Sequence, residues 1–208
     1  MKSGFLWFLF CVFVFFQACQ GQTKNKDQIK DLNTIEGIRK SREDTGFVKH
    51  KQEVESKLGL SSIEDGFDGL QIRIWKGFAN PDSLKLIIFS KSDDGWSARF
   101  YTLVLHYNNS FDSIKDVTRN IKIKEPRSGW NIFIDSLLKL KILELPDYSE
   151  VPSYTLSMDS EAIRVEVAAD KKYRFYSYLD IESQSEAISE ATNMRKILEL
   201  IEEEFGGG

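Results

Sequence analysis

Leu84-Lys85-Leu86-Ile87-Ile88-Phe89, then Ser92-Asp93-Asp94-Gly95, then Trp96 to Tyr107, is the stretch whose reading decides the fold. The first run is apolar and β-branched, as in a strand covered on both faces. Asp94-Gly95 is a turn signal, because Gly supplies the positive φ that a tight reversal needs. Two strand-like runs joined so closely form an antiparallel hairpin. Upstream from Phe67, the apolar residues Leu70, Ile72 and Ile74 alternate with Gln71, Arg73 and Trp75. That period of two predicts a half-buried strand, ended by Gly77 and Asn80-Pro81. Downstream, Asn108 to Asp116 reads as a loop, and Ile121 and Ile123 as a short edge strand.

Pro126 and Ser128-Gly129 change the rhythm. Trp130, Phe133, Ile134, Leu137, Leu138 and Leu145 fit one helical face, with Ser128 as N-cap and Leu145-Pro146 as the stop. Strands return at Tyr154 to Met158, at Ile163, Val165 and Val167, and at Tyr173 to Leu179. Asp159-Ser160 and Ala169-Asp170-Lys171-Lys172 are the expected turns. Ser183-Gln184-Ser185-Glu186 has the form of a capping box. After it, Ile188, Ala191, Met194, Leu198, Ile201 and Phe205 recur at helical spacing until Gly206. Phe47, Val54 and Leu58 predict a helix ending near Gly59, whereas Ile29, Leu32, Ile35 and Ile38 give a marginal one interrupted by Gly37. Short turns between consecutive strands imply an antiparallel sheet. The expected fold is α+β in two layers: a sheet of about five to six strands with two main helices packed on one face. The folded domain is expected to span 47–205.

The first residues have another character. Met1-Lys2-Ser3 is a short positive segment, and Phe5 to Phe16 is an unbroken apolar run of 12 residues. A membrane-spanning helix needs roughly 20, so the run reads as the apolar part of a secretory signal. Phe16-Gln17-Ala18-Cys19 follows, with a small residue directly before a cysteine. This resembles the lipobox of bacterial lipoproteins, although Phe16 stands where Leu is usual and Gln17 where a small residue is usual. The resemblance implies a signal peptide over 1–18, a diacylglyceryl and acyl modification (palmitate class) at Cys19, and a polar, lipid-anchored tether over 19–46. It also implies a place in the cell envelope. Gln20, not Asp, after the cysteine matches the outer-membrane sorting of enteric lipoproteins. The rest of the chain resembles uncharacterised envelope lipoproteins of Gram-negative bacteria, and no named family attaches to it. Two acyl chains at about 0.8 kcal/mol per buried CH₂ hold a protein stably at a membrane, so no polybasic patch is required.

Composition narrows the chemistry. The two cysteines are Cys11 and Cys19, so the body has no thiol for a disulfide, a nucleophile or a metal site. Formal net charge is −4, and no concentrated basic face points to nucleic acid. The histidines, His50 and His106, stand apart, and no phosphate loop, nucleophile elbow or zinc-protease motif is present. Asp93-Asp94, Glu64-Asp65 and Asp159 with Glu161 read as surface turns. Glu199, Glu202, Glu203 and Glu204 oppose the helix dipole and are partly offset by Arg195 and Lys196. No cofactor or metal is expected.

One pattern suggests a binding surface. Arg73-x-Trp75, Arg99-x-Tyr101 and Arg174-x-Tyr176, the last extended by Tyr178, each place Arg and an aromatic on one face of a strand. If the three strands present the same outward face, that face is an Arg/aromatic surface suited to a protein, peptide or glycan partner. The alternative is that these are ordinary strand residues making cross-strand pairs, with Leu103 and Leu105 drawing the Tyr101 face into the core. The functional expectation is a membrane-anchored envelope lipoprotein with a non-enzymatic ligand- or protein-binding domain. The alternatives are an envelope hydrolase working through carboxylates, or a membrane-held immunity or inhibitor protein.

Overall fold

The structure is a computed structural model that describes residues 45–78, 82–155 and 161–206. Cys19, the leader, the tether as far as residue 44 and the Ile29–Ile38 pattern lie outside the described residues, and the last two tether positions, 45 and 46, open the first helix. So do Asn80-Pro81, the Leu156–Met158 part of the predicted strand, and the Asp159-Ser160 turn. The elements run α1 (Thr45–Leu58), β1 (Phe67–Lys76), β2 (Leu84–Ser92), β3 (Gly95–Tyr107), β4 (Ile114–Lys124) and α2 (Trp130–Lys139). A 3-10 turn at Tyr148–Glu150, β5 (Ala162–Asp170), β6 (Lys172–Leu179), α3 (Ile181–Gln184) and α4 (Ser189–Phe205) complete the order. The fold is α+β around one antiparallel six-stranded sheet, ordered β4-β3-β2-β1-β5-β6.

The hairpin forms as the sequence implies, with Ser92 opposite Gly95. Gly95 carries the positive φ, 112°, and Asp93 and Asp94 need none. A second glycine is fixed by close approach. Gly69 sits at the β1 irregularity with φ 97°, and a Cβ there would lie 2.1 Å from the Lys91 carbonyl oxygen. Only glycine lets the two backbones come together there.

Cross-strand pairs assign every strand residue to a face. Ile72 opposes Phe89 and Val167, and Val167 opposes Arg174. Phe89 and Phe100 on that face meet Phe133 of α2 and Phe205 of α4, with ring centroids 5.0–6.2 Å apart. The opposite face holds Trp75, Leu86, Tyr101 and Leu103, which cluster with Phe47, Val54 and Leu58 of α1. Two layers were expected, but α1 covers the second face of the sheet, so β1 is not half-buried: Leu70 through Trp75 are all buried.

Other boundaries moved for local reasons. β4 is 11 residues long and starts at Ile114, inside the stretch read as loop. Its polar residues hid it because an edge strand needs no apolar alternation. Tyr154 and Thr155 are not in a strand; the Tyr154 hydroxyl donates to the Leu179 carbonyl instead. α2 stops at Lys139, and Lys141 turns the chain at φ 61°, which brings the carbonyls of 142–145 against β6. Ser128 does not cap α2. Gly129 holds that position, and the Ser128 N–H donates to Glu204 Oε2 instead. The Ser183–Glu186 capping box is also not used. Ser183 lies within α3 and bonds Asp180, while α4 begins three residues beyond the box, at Ser189. On α4 the buried stripe is Ala191, Met194, Ile197, Ile201 and Phe205, with Ile197 rather than Leu198 innermost.

Candidate functional site

The polar residues of α1 are the place to start. Lys51 and Glu55 lie four and eight positions after Phe47, so they share the buried stripe of that helix with Val54 and Leu58. Across from them, β1 and β5 supply Gln71, Arg73, Trp75 and Glu166, all buried. The charges therefore meet inside the domain and satisfy one another.

Glu166 is the hub. Its Oε1 lies 2.8 Å from Lys51 Nζ and accepts from the Tyr173 hydroxyl at 2.8 Å; its Oε2 accepts from Trp75 Nε1 at 2.6 Å. Lys51 also donates to Glu64 at 2.7 Å, where the network reaches solvent. Arg73 donates to Glu55 at 2.6 Å, to Gln71 at 2.7 Å and to the Ser61 carbonyl at 2.8 Å, and Gln71 continues to Ser90 at 2.9 Å. Burial works to lower the Lys51 pKa, but Glu166, Glu64 and Glu55 overcome it and hold the ammonium above its usual value. Burial pushes the Glu55 carboxyl up to about 7, reinforced by Glu166 and opposed by Lys51 and Arg73. Two cations face three carboxyls here, so one proton on Glu55 neutralises the cluster.

That proton gives a measurable pH dependence. A carboxyl whose folded pKa exceeds its unfolded value of about 4.5 binds its proton more tightly when folded. Its contribution is full below pH 4.5 and is lost as pH rises through about 7, on the order of 3 kcal/mol. Urea melts of Glu55→Gln should lack that fall between pH 5 and 8, since the amide still accepts from Arg73 but does not titrate. Identical pH slopes for the variant and the parent would show that Glu55 is ionised throughout.

The seven residues expected to form a binding surface do not lie on one face. Arg73, Trp75, Arg99 and Tyr101 share the α1 face; Arg174, Tyr176 and Tyr178 lie on the α2/α4 face. Arg73, Trp75, Tyr101, Tyr176 and Tyr178 are buried, against the expectation that they point outward. Arg174 donates to the carbonyls of Leu143, Glu144 and Leu145, and Tyr176 to that of Ile142. Burial raises the Tyr176 and Tyr178 hydroxyl pKa values well above normal. Arg99, partly exposed, opposes Ile123 of β4, and Tyr101 opposes Ile121. Beside α1, Phe47, Val48, Lys51, Glu64, Tyr173 and Phe175 line an open crevice that encloses no room for a ligand.

The sequence reading missed Lys51, Glu55 and Glu166. The available signal was spacing: Phe47, Lys51, Val54, Glu55 and Leu58 form a single helical stripe, and a polar residue within an apolar stripe needs a buried partner. Among the described residues no group of three or more His, Asp or Glu is placed to hold a metal. His50 packs edge-on to Tyr107, and His106 pairs with Thr118. Asp147, also missed, accepts from the N–H and hydroxyl of both Ser149 and Ser177, tying the 3-10 turn to β6. No family model, curated protein or solved structure matches the chain.

Proposed function

We propose that this chain is a lipoprotein of the bacterial cell envelope, anchored through lipid on Cys19 in the outer membrane of a Gram-negative bacterium, whose α+β domain binds a partner without catalysing a reaction. Phe16-Gln17-Ala18-Cys19 at the end of an apolar run carries this reading. A lipid on that sulfur fits a chain with no cysteine after it, since an exported domain then has no competing thiol. The binding half is supported by the corner of the sheet beyond the end of α1, where Ile121 and Ile123 are exposed beside Arg99. Exposed isoleucines adjoining a cation are suited to a protein or peptide.

Labelling cells with a palmitate analogue, followed by mass spectrometry of the N-terminus, tests the anchor. Label is expected on Cys19 of the parent, and the Cys19→Ser variant should leave the membrane fraction. An unmodified Cys19, or an N-terminus elsewhere, sinks the proposal. Pull-down from detergent-solubilised envelope separates a binding domain, which yields a stoichiometric partner, from an enzyme, which turns over envelope polymer instead.

A further inference from the structure

Side chains take main-chain donors at both edges of the sheet. On β6, Asp147 Oδ2 from the preceding loop accepts from the Ser177 N–H, so a side chain occupies a main-chain donor of that strand. On β4, the other edge, Glu53 Oε2 accepts from the Ile114 N–H and Asp116 Oδ1 from the Val117 N–H, and among the described residues no strand pairs with the outer side beyond them. It is 11 residues long and mostly exposed. An edge of that length is a template for another strand unless something protects it. Lysines are one such protection, and β4 carries Lys115, Arg119, Lys122 and Lys124 against the single acid Asp116. Protection alone does not account for Ile121 at 43% and Ile123 at 75% exposure on the same face. A basic edge with two open isoleucines combines main-chain pairing, apolar contact and charge.

Resting on the reading of this domain as a binding module, we propose that the outer edge of β4 receives an extended, acidic peptide segment of a protein partner as a seventh strand. Main-chain groups of β4 hold the segment by strand addition. Ile121 and Ile123 take apolar residues that recur every second position, and Lys122 on the other face meets the Asp and Glu between them. Lys115, Arg119 and Lys124, the last two donating to the Leu58 and Phe205 carbonyls, add to the positive field. A second copy of the chain is disfavoured, because β4 against β4 sets like charge on like charge. Residues 20–44 of this chain do not supply the charge either, with six Lys and Arg against five Asp and Glu.

The full-length protein in detergent micelles is titrated against a fluorescein-labelled peptide of about ten alternating Glu and Val residues, long enough to span a strand. Saturable binding is expected, with slower amide hydrogen exchange across Ile114–Lys124. Ile123→Glu and Lys122→Glu should each weaken it about tenfold without lowering the melting temperature. The proposal is overturned if the peptide does not bind, if a Lys/Val peptide binds equally well, or if exchange slows elsewhere and not in β4. Should a variant melt early, the exchange footprint on the parent decides. Peptide captured on β4 by a protein with unmodified Cys19 removes the anchor and leaves the strand addition; lipidated Cys19 without capture does the reverse.

Discussion

Glu166→Ala is expected to destabilise the domain by about 3–5 kcal/mol, the range for removing one partner of a buried ion pair. The deletion takes Glu166 from three groups at once: the Lys51 ammonium loses its buried counter-ion, and the Trp75 N–H and Tyr173 hydroxyl lose this acceptor. Lys51 keeps Glu64, whose side chain is 39% exposed and therefore a weaker, screened partner. Urea denaturation followed by Trp fluorescence measures the loss. The companion variant Lys51→Met with Glu166→Leu should recover about half of it, because the buried charge is gone while the Trp75 and Tyr173 donors still lack the Glu166 acceptor. A Glu166→Ala loss below about 1 kcal/mol would mean that water reaches the cluster and the charges are not desolvated.

The second large effect lies almost at the end of the described chain. Phe205→Ala should cost about 3–5 kcal/mol, the usual range for emptying a buried Phe site. Phe205 is 4% exposed and its ring lies 5.0 Å from both Phe100 and Phe133, with Phe89 and Trp130 close behind. The same turn is held from outside: Lys124 donates to the Phe205 carbonyl, and the N–H groups of Arg127 and Ser128 donate to Glu204. In a domain of this size the melting temperature should fall by about 10 °C, with Phe205→Leu losing far less. A fall of only one or two degrees would show that the last turn of α4 frays without disturbing the aromatic cluster. Three of the four glutamates near this end read as a solvated face: Glu199 pairs with Arg195, and Glu202 and Glu203 are exposed. Glu204 instead caps the linker between β4 and α2.

Much of the architecture was legible locally. Hydrophobic period, glycine and the Asp-Gly signal are properties of short windows, so β1, β2, β3, β5, β6 and α4 emerge from them near their true positions. β4 was legible only at Ile121 and Ile123, as a short edge strand, because the rest of an exposed edge carries no apolar alternation. The α2 end was misplaced because β6 takes the carbonyls after Lys139, the Ser128 cap because Gly129 holds the cap position while Glu204 takes the Ser128 N–H, and the Ser183 cap because Ser183 bonds Asp180 three residues away. The candidate site was the least legible part. Gln71, Arg73 and Glu166 alternate with apolar residues in the same way whether their face meets water or a charged helix stripe.

By itself, then, the sequence determined where strands turn, which helix stripe is apolar, and the Phe16–Cys19 motif on which the proposed membrane address rests. Only the tertiary structure decided which faces are covered. Arg73 meets Glu55 across 18 residues, Trp75 meets Glu166 across 91, and Lys51 meets Glu166 across 115. Sheet order then sends Arg174 to the face opposite Arg73, splitting a pattern that looks uniform along the chain. The physical reason is that period fixes a side chain relative to its own strand, whereas burial depends on what packs against it. A charge is stable inside only when a partner arrives from elsewhere in the chain.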